Sequence, residues 1–182
     1  MTPFFYTRLS SFYFFYYFFV GLFVPYWGIY LKSLSFNALQ IGALLSLFQI
    51  SRIFAPNVLG WVADQSGEYI KWIKVSSFFG FIIFMGIFWS NTFINIFIVM
   101  MAMSIFTSST LPLAESLTLS HLKANKADSK YSHIRLWGSI GFIVAALLLG
   151  VMIDSYGERS LIYALLIAQF IMPLFAFIFP KN

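Results

Sequence analysis

Apolar residues in this chain gather into six long, nearly unbroken stretches, at about 9–31, 39–63, 72–89, 93–119, 134–153 and 160–179. Polar residues are confined to short breaks between them, the longest at 120–133. A helix needs about 20 mainly apolar residues to cross a bilayer core. In lipid, each backbone N–H and C=O must also be bonded within its own segment, which a helix achieves. The pattern predicts an all-α, polytopic membrane protein, with residues 1–182 forming one bundle of six transmembrane helices. Short connections predict antiparallel neighbours. The first stretch is longer than the roughly 7–15 residues of a cleavable signal core, and no small-x-small cleavage site follows it.

Composition agrees. The chain is 60% hydrophobic, 21% aromatic and 9% charged, against about 25% charged for a soluble domain. A net charge of +5 raises the question of nucleic acid, but the basic residues punctuate the apolar runs and form no stripe. Membrane topology accounts for them better. With the N-terminus inside, Arg8, Lys71, Lys74, Lys123, Lys126, Lys130, Arg135 and Lys181 all fall on the inner side, and only Lys32 and Arg159 fall outside. That bias follows the positive-inside rule, so both termini are expected in the cytoplasm and the chain in the cell inner (plasma) membrane. There is no cysteine, and two histidines are too few for a dedicated site. No metal or cofactor is expected. An enzyme is not expected either, because no nucleophile–base set or phosphate loop appears.

Apart from Lys74, already placed at the inner side, the charged residues inside the stretches or at their inner ends are Arg52, Glu115 and Arg135. A charge at such depth is costly unless it meets a partner charge, a protein interior or water. At about 100° per residue, Arg135, Ser139, Phe142 and Ala146 fall within roughly 60° on the fifth span, beside a second stripe of Gly138, Gly141 and Ala145. Small residues let helices approach closely in lipid, so the glycine stripe is expected to pack and the arginine stripe to face a cavity. Ser104, Ser108 and Glu115 share a stripe on the fourth span, near Pro112. Ser46, Gln49 and Arg52 occupy about a third of the second span's wheel. Two readings stay open for each charge: Glu115 and Arg135 form a structural ion pair or line a cavity, and Arg52 bonds to carbonyls or faces the same space. The aromatic run from Phe12 to Phe19 is expected to be lipid-facing bulk. Trp61, Trp72 and Trp89, near span ends, are expected as interfacial anchors.

Two local patterns add to this. Gly60-Trp61-Val62-Ala63-Asp64-Gln65-Ser66-Gly67, between spans two and three, is a G-x-x-x-D-x-x-G. It resembles the loop signature of the major facilitator superfamily at the same place, although Gln65 and Glu68 stand where that family usually carries basic residues. Pro112-Leu113-Ala114-Glu115 and Tyr131-Ser132-His133-Ile134-Arg135-Leu136-Trp137-Gly138-Ser139 resemble the phenylpropionate permease group of that superfamily, related to the lactose permease and nucleoside–proton symporters. So does Pro25-Tyr26-Trp27-Gly28-Ile29-Tyr30-Leu31-Lys32, followed by Gln40-Ile41-Gly42 and Arg52. The resemblance runs along essentially the whole chain.

It implies one half of a twelve-helix transporter, built from 3+3 inverted repeats, with the C-terminal six-helix half absent here. It also implies that Glu115, Arg135 and Phe142 line the substrate site, joined in this reading by Arg52 and Ser139, and that Gly60, Asp64 and Gly67 belong to a conformational loop. The implied activity is secondary transport of a small organic solute, an aromatic carboxylate for preference, with a proton as coupling ion whose binding groups lie in the missing half. A sugar or nucleoside symporter half is the nearest alternative, and a non-transporting membrane subunit or truncated fragment is another. The expected partners are the bilayer, the solute, and either a second six-helix half or a second copy of this chain.

Overall fold

In the computed structural model, which describes residues 3–179, six long helices cover almost the whole chain. They are α1 (Pro3–Ser33), α2 (Ala38–Ser66), α3 (Tyr69–Met85), α4 (Phe93–Ala124), α5 (Tyr131–Tyr156) and α6 (Ser160–Phe177), and among the described residues there is no strand. All six are long and apolar enough to span a bilayer. Pro180 and Lys181, expected at the end of the sixth span, lie outside the described residues.

Helix ends are set by local chemistry rather than by where the apolar run stops. Asn37 opens α2: its side chain accepts from the Gln40 N–H at 2.9 Å while the Gln40 side chain accepts from the Asn37 N–H at 3.0 Å, a reciprocal cap. Thr92 accepts from the Asn95 N–H at 3.3 Å to open α4. Gly67 closes α2 in the left-handed region at φ 66°, a conformation glycine adopts without side-chain strain. This corrects the expected loop signature: Gly60 and Asp64 are helical, in the last turns of α2, and only Gly67 makes the turn. There Asp64 accepts a hydrogen bond from the Tyr69 hydroxyl, and the Trp72 indole N–H donates to Ser66 Oγ at 3.0 Å, locking the start of α3 to the end of α2.

Apart from α3 and α4, consecutive helices touch rather little. The main packing pairs are α1 with α5, α2 with α4, α3 with α4, α1 with α6, and α3 with α6. Exchanging α1–α3 for α4–α6 turns the first pair into the second and the third into the fourth, and leaves the last unchanged. That symmetry is what a repeated three-helix unit produces.

The α1–α5 seam is built on small residues. A Cβ at Gly141 would strike the Phe14 carbonyl, one at Gly21 would lie 2.5 Å from the Phe142 carbonyl oxygen, and one at Gly138 would lie 2.5 Å from the Tyr17 ring. The expected glycine stripe therefore packs, with Ala145 buried beside it. The aromatic run is corrected: Phe12, Tyr13, Tyr16 and Phe19 are buried in the core rather than turned to lipid. Trp61 and Trp89 are exposed at span ends, as interfacial residues are.

Replacing Gly141 with leucine should drive α1 and α5 apart and lower stability by at least about 2 kcal/mol, the upper range for overpacked cores. Gly42→Ala, where an added Cβ meets nothing within 4 Å, should cause no loss. Thermal melting of the detergent-solubilised protein measures both.

Candidate functional site

Arg135 lies in the second turn of α5, where the glycine stripe holds α5 against α1. Because Gly138 has no side chain, the Tyr17 ring of α1 enters the groove above it. The guanidinium of Arg135 then sits over that ring, 4.4 Å from its centroid, a cation–π contact. The planar guanidinium keeps its edge donors available for other acceptors.

One acceptor is nearby. Glu115, on α4, places Oε1 3.6 Å from Arg135 Nε, with the two side chains 40% (Arg135) and 29% (Glu115) exposed. A charge-assisted hydrogen bond would be about 2.7–2.9 Å, so this is an attraction across a gap, not a clasp. The Tyr131 hydroxyl donates to the same carboxylate oxygen at 3.4 Å, also long. The structure thus brings together Glu115 and Arg135, of the residues singled out from sequence, and leaves both partly exposed. The expected pair exists, and it is loose.

Arg52 reaches the same region from α2. It is exposed. Ser46, Gln49 and Asn57 are exposed on the same side of α2, and Ser139 on α5. Phe142 is half-buried: its backbone packs on Gly21 and its ring is partly open. The stripe expected on α4 divides. Ser104 is buried and hydrogen-bonded to Ser51 Oγ across the α2–α4 seam at 2.7 Å, and Ser108 is buried as well. The Ser104 hydroxyl joins helices, whereas that of Ser108 donates to the Ile105 carbonyl of its own helix at 3.5 Å, leaving Glu115 as the partly exposed member of the stripe. Among the described residues no cluster of His, Cys, Asp and Glu is suited to a metal.

Tyr17 and Tyr131 are the residues sequence reasoning passed over. A signal was present. Three of the eight aromatics from Phe12 to Phe19 are tyrosines, and a hydroxyl has no partner among lipid tails. Tyr16 donates to the Thr107 carbonyl at 3.3 Å, Tyr13 is fully buried, and Tyr17 meets Arg135. Each tyrosine in the run points to protein.

Residues 6–182 match the model of the MFS_1 like family. Among curated proteins, the chain is 27% identical over 151 residues to a probable 3-phenylpropionic acid transporter of Escherichia coli (strain K12), covering 82% of this chain and 39% of that protein. It is also 27% identical over 167 residues to a maltose permease of Geobacillus stearothermophilus, covering 89% and 41%. The crystal structure of the nucleoside transporter NupG superposes with a TM-score of 0.86 at 25% identity, covering 100% of this chain and 45% of that one. The chain spans about two fifths of the length of the curated relatives it matches.

The chain has no cysteine, so single cysteines can report which face is wet. Ser139→Cys should react with a membrane-impermeant thiol reagent, and Leu165→Cys, at a fully buried position, should not. With Arg135 one turn away favouring the thiolate, adding Arg135→Gln should slow the reaction. An inert thiol at position 139 would mean that this face of α5 is dry.

Proposed function

The chain belongs to the MFS_1 like family, and on that premise we propose that it is one six-helix half of a secondary transporter for a small organic anion, an aromatic carboxylate first among them. The loose Arg135–Glu115 pair carries this reading. A guanidinium stacked on Tyr17 and 3.6 Å from its carboxylate neighbour keeps donors for a second carboxylate, which it can grip in a two-pronged bond. Tyr17 and Phe142 offer ring faces on either side for an aromatic solute. Glu115 balances the arginine when no solute is bound and accepts from solute hydroxyl groups when one is.

The partner follows from the cost of polar groups in lipid. Ser46, Gln49, Arg52 and Asn57 share one face of α2 and are exposed in this bundle. Such a face needs water or protein over it. A second six-helix bundle set against α2 and α5 would enclose a watery pathway with Arg135, Glu115 and Arg52 in its wall, and rocking of the two bundles would open it to each side in turn. A second copy of this chain is the alternative cover. We assign proton coupling to the second bundle, as the resemblance to lactose-permease-like proteins implies. The bias of lysine and arginine places both ends of the chain in the cytoplasm of a cell whose inner membrane it occupies.

Uptake of labelled 3-phenylpropionate, maltose and a nucleoside into cells carrying the intact assembly tests the reading. Arg135→Ala should lower uptake of the carboxylate by about ten- to a hundredfold, the equivalent of the roughly 1.5–3 kcal/mol of a hydrogen bond to a charged group. Arg135→Lys should recover part of it, since a lysine keeps the charge but not the fork. Carboxylate uptake unchanged in Arg135→Ala would remove the substrate role. Uptake of only maltose or the nucleoside would favour a neutral-solute transporter, and no uptake of any of them a non-transporting subunit.

A further inference from the structure

Away from the arginine–glutamate pair, an open groove of about 840 Å³ lies at one end of the bundle where α3, α4 and α6 meet. Its mouth is basic and its wall is aromatic. Lys71 and Lys74 stand three residues apart on one side of α3 and both line it. They occupy the opening turns of that helix, where free N–H groups and the helix dipole already present positive charge. No acidic residue occupies the first turn, and Glu68, in the N-cap position, makes no side-chain cap. One carboxylate answers this concentration of charge: Glu68 pairs with Lys71 at 2.7 Å, and both are exposed. Lys74 forms no salt bridge among the described residues. Its ammonium rests 5.1 Å from the centre of the Phe177 ring on α6.

From the lysines the groove runs along α3 into the span, where Phe78 and Phe79 are 46% and 45% exposed. Charge at the membrane edge and open aromatic surface toward the bilayer centre match the two ends of a phospholipid. A small soluble anion would have no use for the phenylalanines, and a neutral lipid none for the lysines. We propose that this groove binds one acidic phospholipid, its phosphate between Lys71 and Lys74 and an acyl chain along Phe78 and Phe79. The groove volume is in the range of built ligand sites, and basic pockets between helix ends are suited to acidic headgroups. Ser116, which follows Glu115 on α4, also lines the groove. A bound lipid therefore touches the helix turn that carries the glutamate.

The test is native mass spectrometry of the purified full chain, in its native assembly, released from nanodiscs of phosphatidylcholine with increasing phosphatidylglycerol. The wild type should retain one phosphatidylglycerol in preference to phosphatidylcholine. Lys71→Gln with Lys74→Gln should weaken that retention at least fivefold. Lys123→Gln with Lys126→Gln, an equal loss of charge outside the groove, should leave it unchanged. Phe78→Ser with Phe79→Ser, which keeps both lysines, should weaken it also. Equal losses in the two lysine pairs would mean diffuse surface attraction and overturn the proposal. So would displacement of the lipid by inorganic phosphate at comparable concentration, which would mark a free-anion site. A wild type with no preference for phosphatidylglycerol overturns it outright.

Discussion

The arrangement depends on the closeness of α1 to α5. Lipid tails are as apolar as leucine, so apolar side chains gain little by exchanging lipid for another helix; tight backbone packing is what holds helices together there. Gly141 over the Phe14 carbonyl and Gly21 over the Phe142 carbonyl permit that contact, and an alanine at either place would push the helices apart. The functional geometry is a by-product of the same seam. The missing side chain at Gly138 admits the Tyr17 ring, and the ring in turn supports the guanidinium of Arg135. Structure and site share one set of glycines.

The opposite seam, α2 against α4, uses other chemistry for the same task. Ser51 and Ser104 bond across it, with Ala55 and Ala63 buried on the α2 side. Behind these seams, Gln169 of α6 donates to Thr107 Oγ1 of α4 at 3.2 Å, and Thr110 bonds to Ser76 of α3 at 3.0 Å. Short hydroxyl side chains fill the centre of the bundle, while the longer polar groups of α2 and the charged pair face outward. Buried hydroxyls and the Gln169 amide thus bond helices together, while the charged groups Arg52, Glu115 and Arg135 keep exposed surface.

Much of this could be read from the residues. Hydropathy located all six helices, because apolar length is a direct requirement of the bilayer. It could not locate their ends: α4 continues through His121 and Lys123 to Ala124, since helical hydrogen bonding does not stop where lipid does. The glycine stripe on α5 was legible as a packing face, but nothing in the pattern named α1 as the partner. Counting Phe12–Phe19 as bulk failed because an unbroken aromatic run has no periodicity to tell a buried face from an exposed one, and because the tyrosine hydroxyls were not weighed. The proximity of Glu115 to Arg135 was foreseeable from equal depth on adjoining helices. The 3.6 Å gap was not, for it depends on where Tyr17 holds the guanidinium.

The interlacing of the helices has a consequence for how the protein is made. Helix α1 is synthesised well before its principal neighbours, α5 and α6. Until they arrive, the Phe14 carbonyl that Gly141 will cover, and the Tyr17 ring that Gly138 will receive, must wait among lipids or a chaperone. Chains that emerge from the ribosome sequentially gain native contacts in the order the partners appear. Helix α1 therefore completes its packing only after the five helices that follow it have been made.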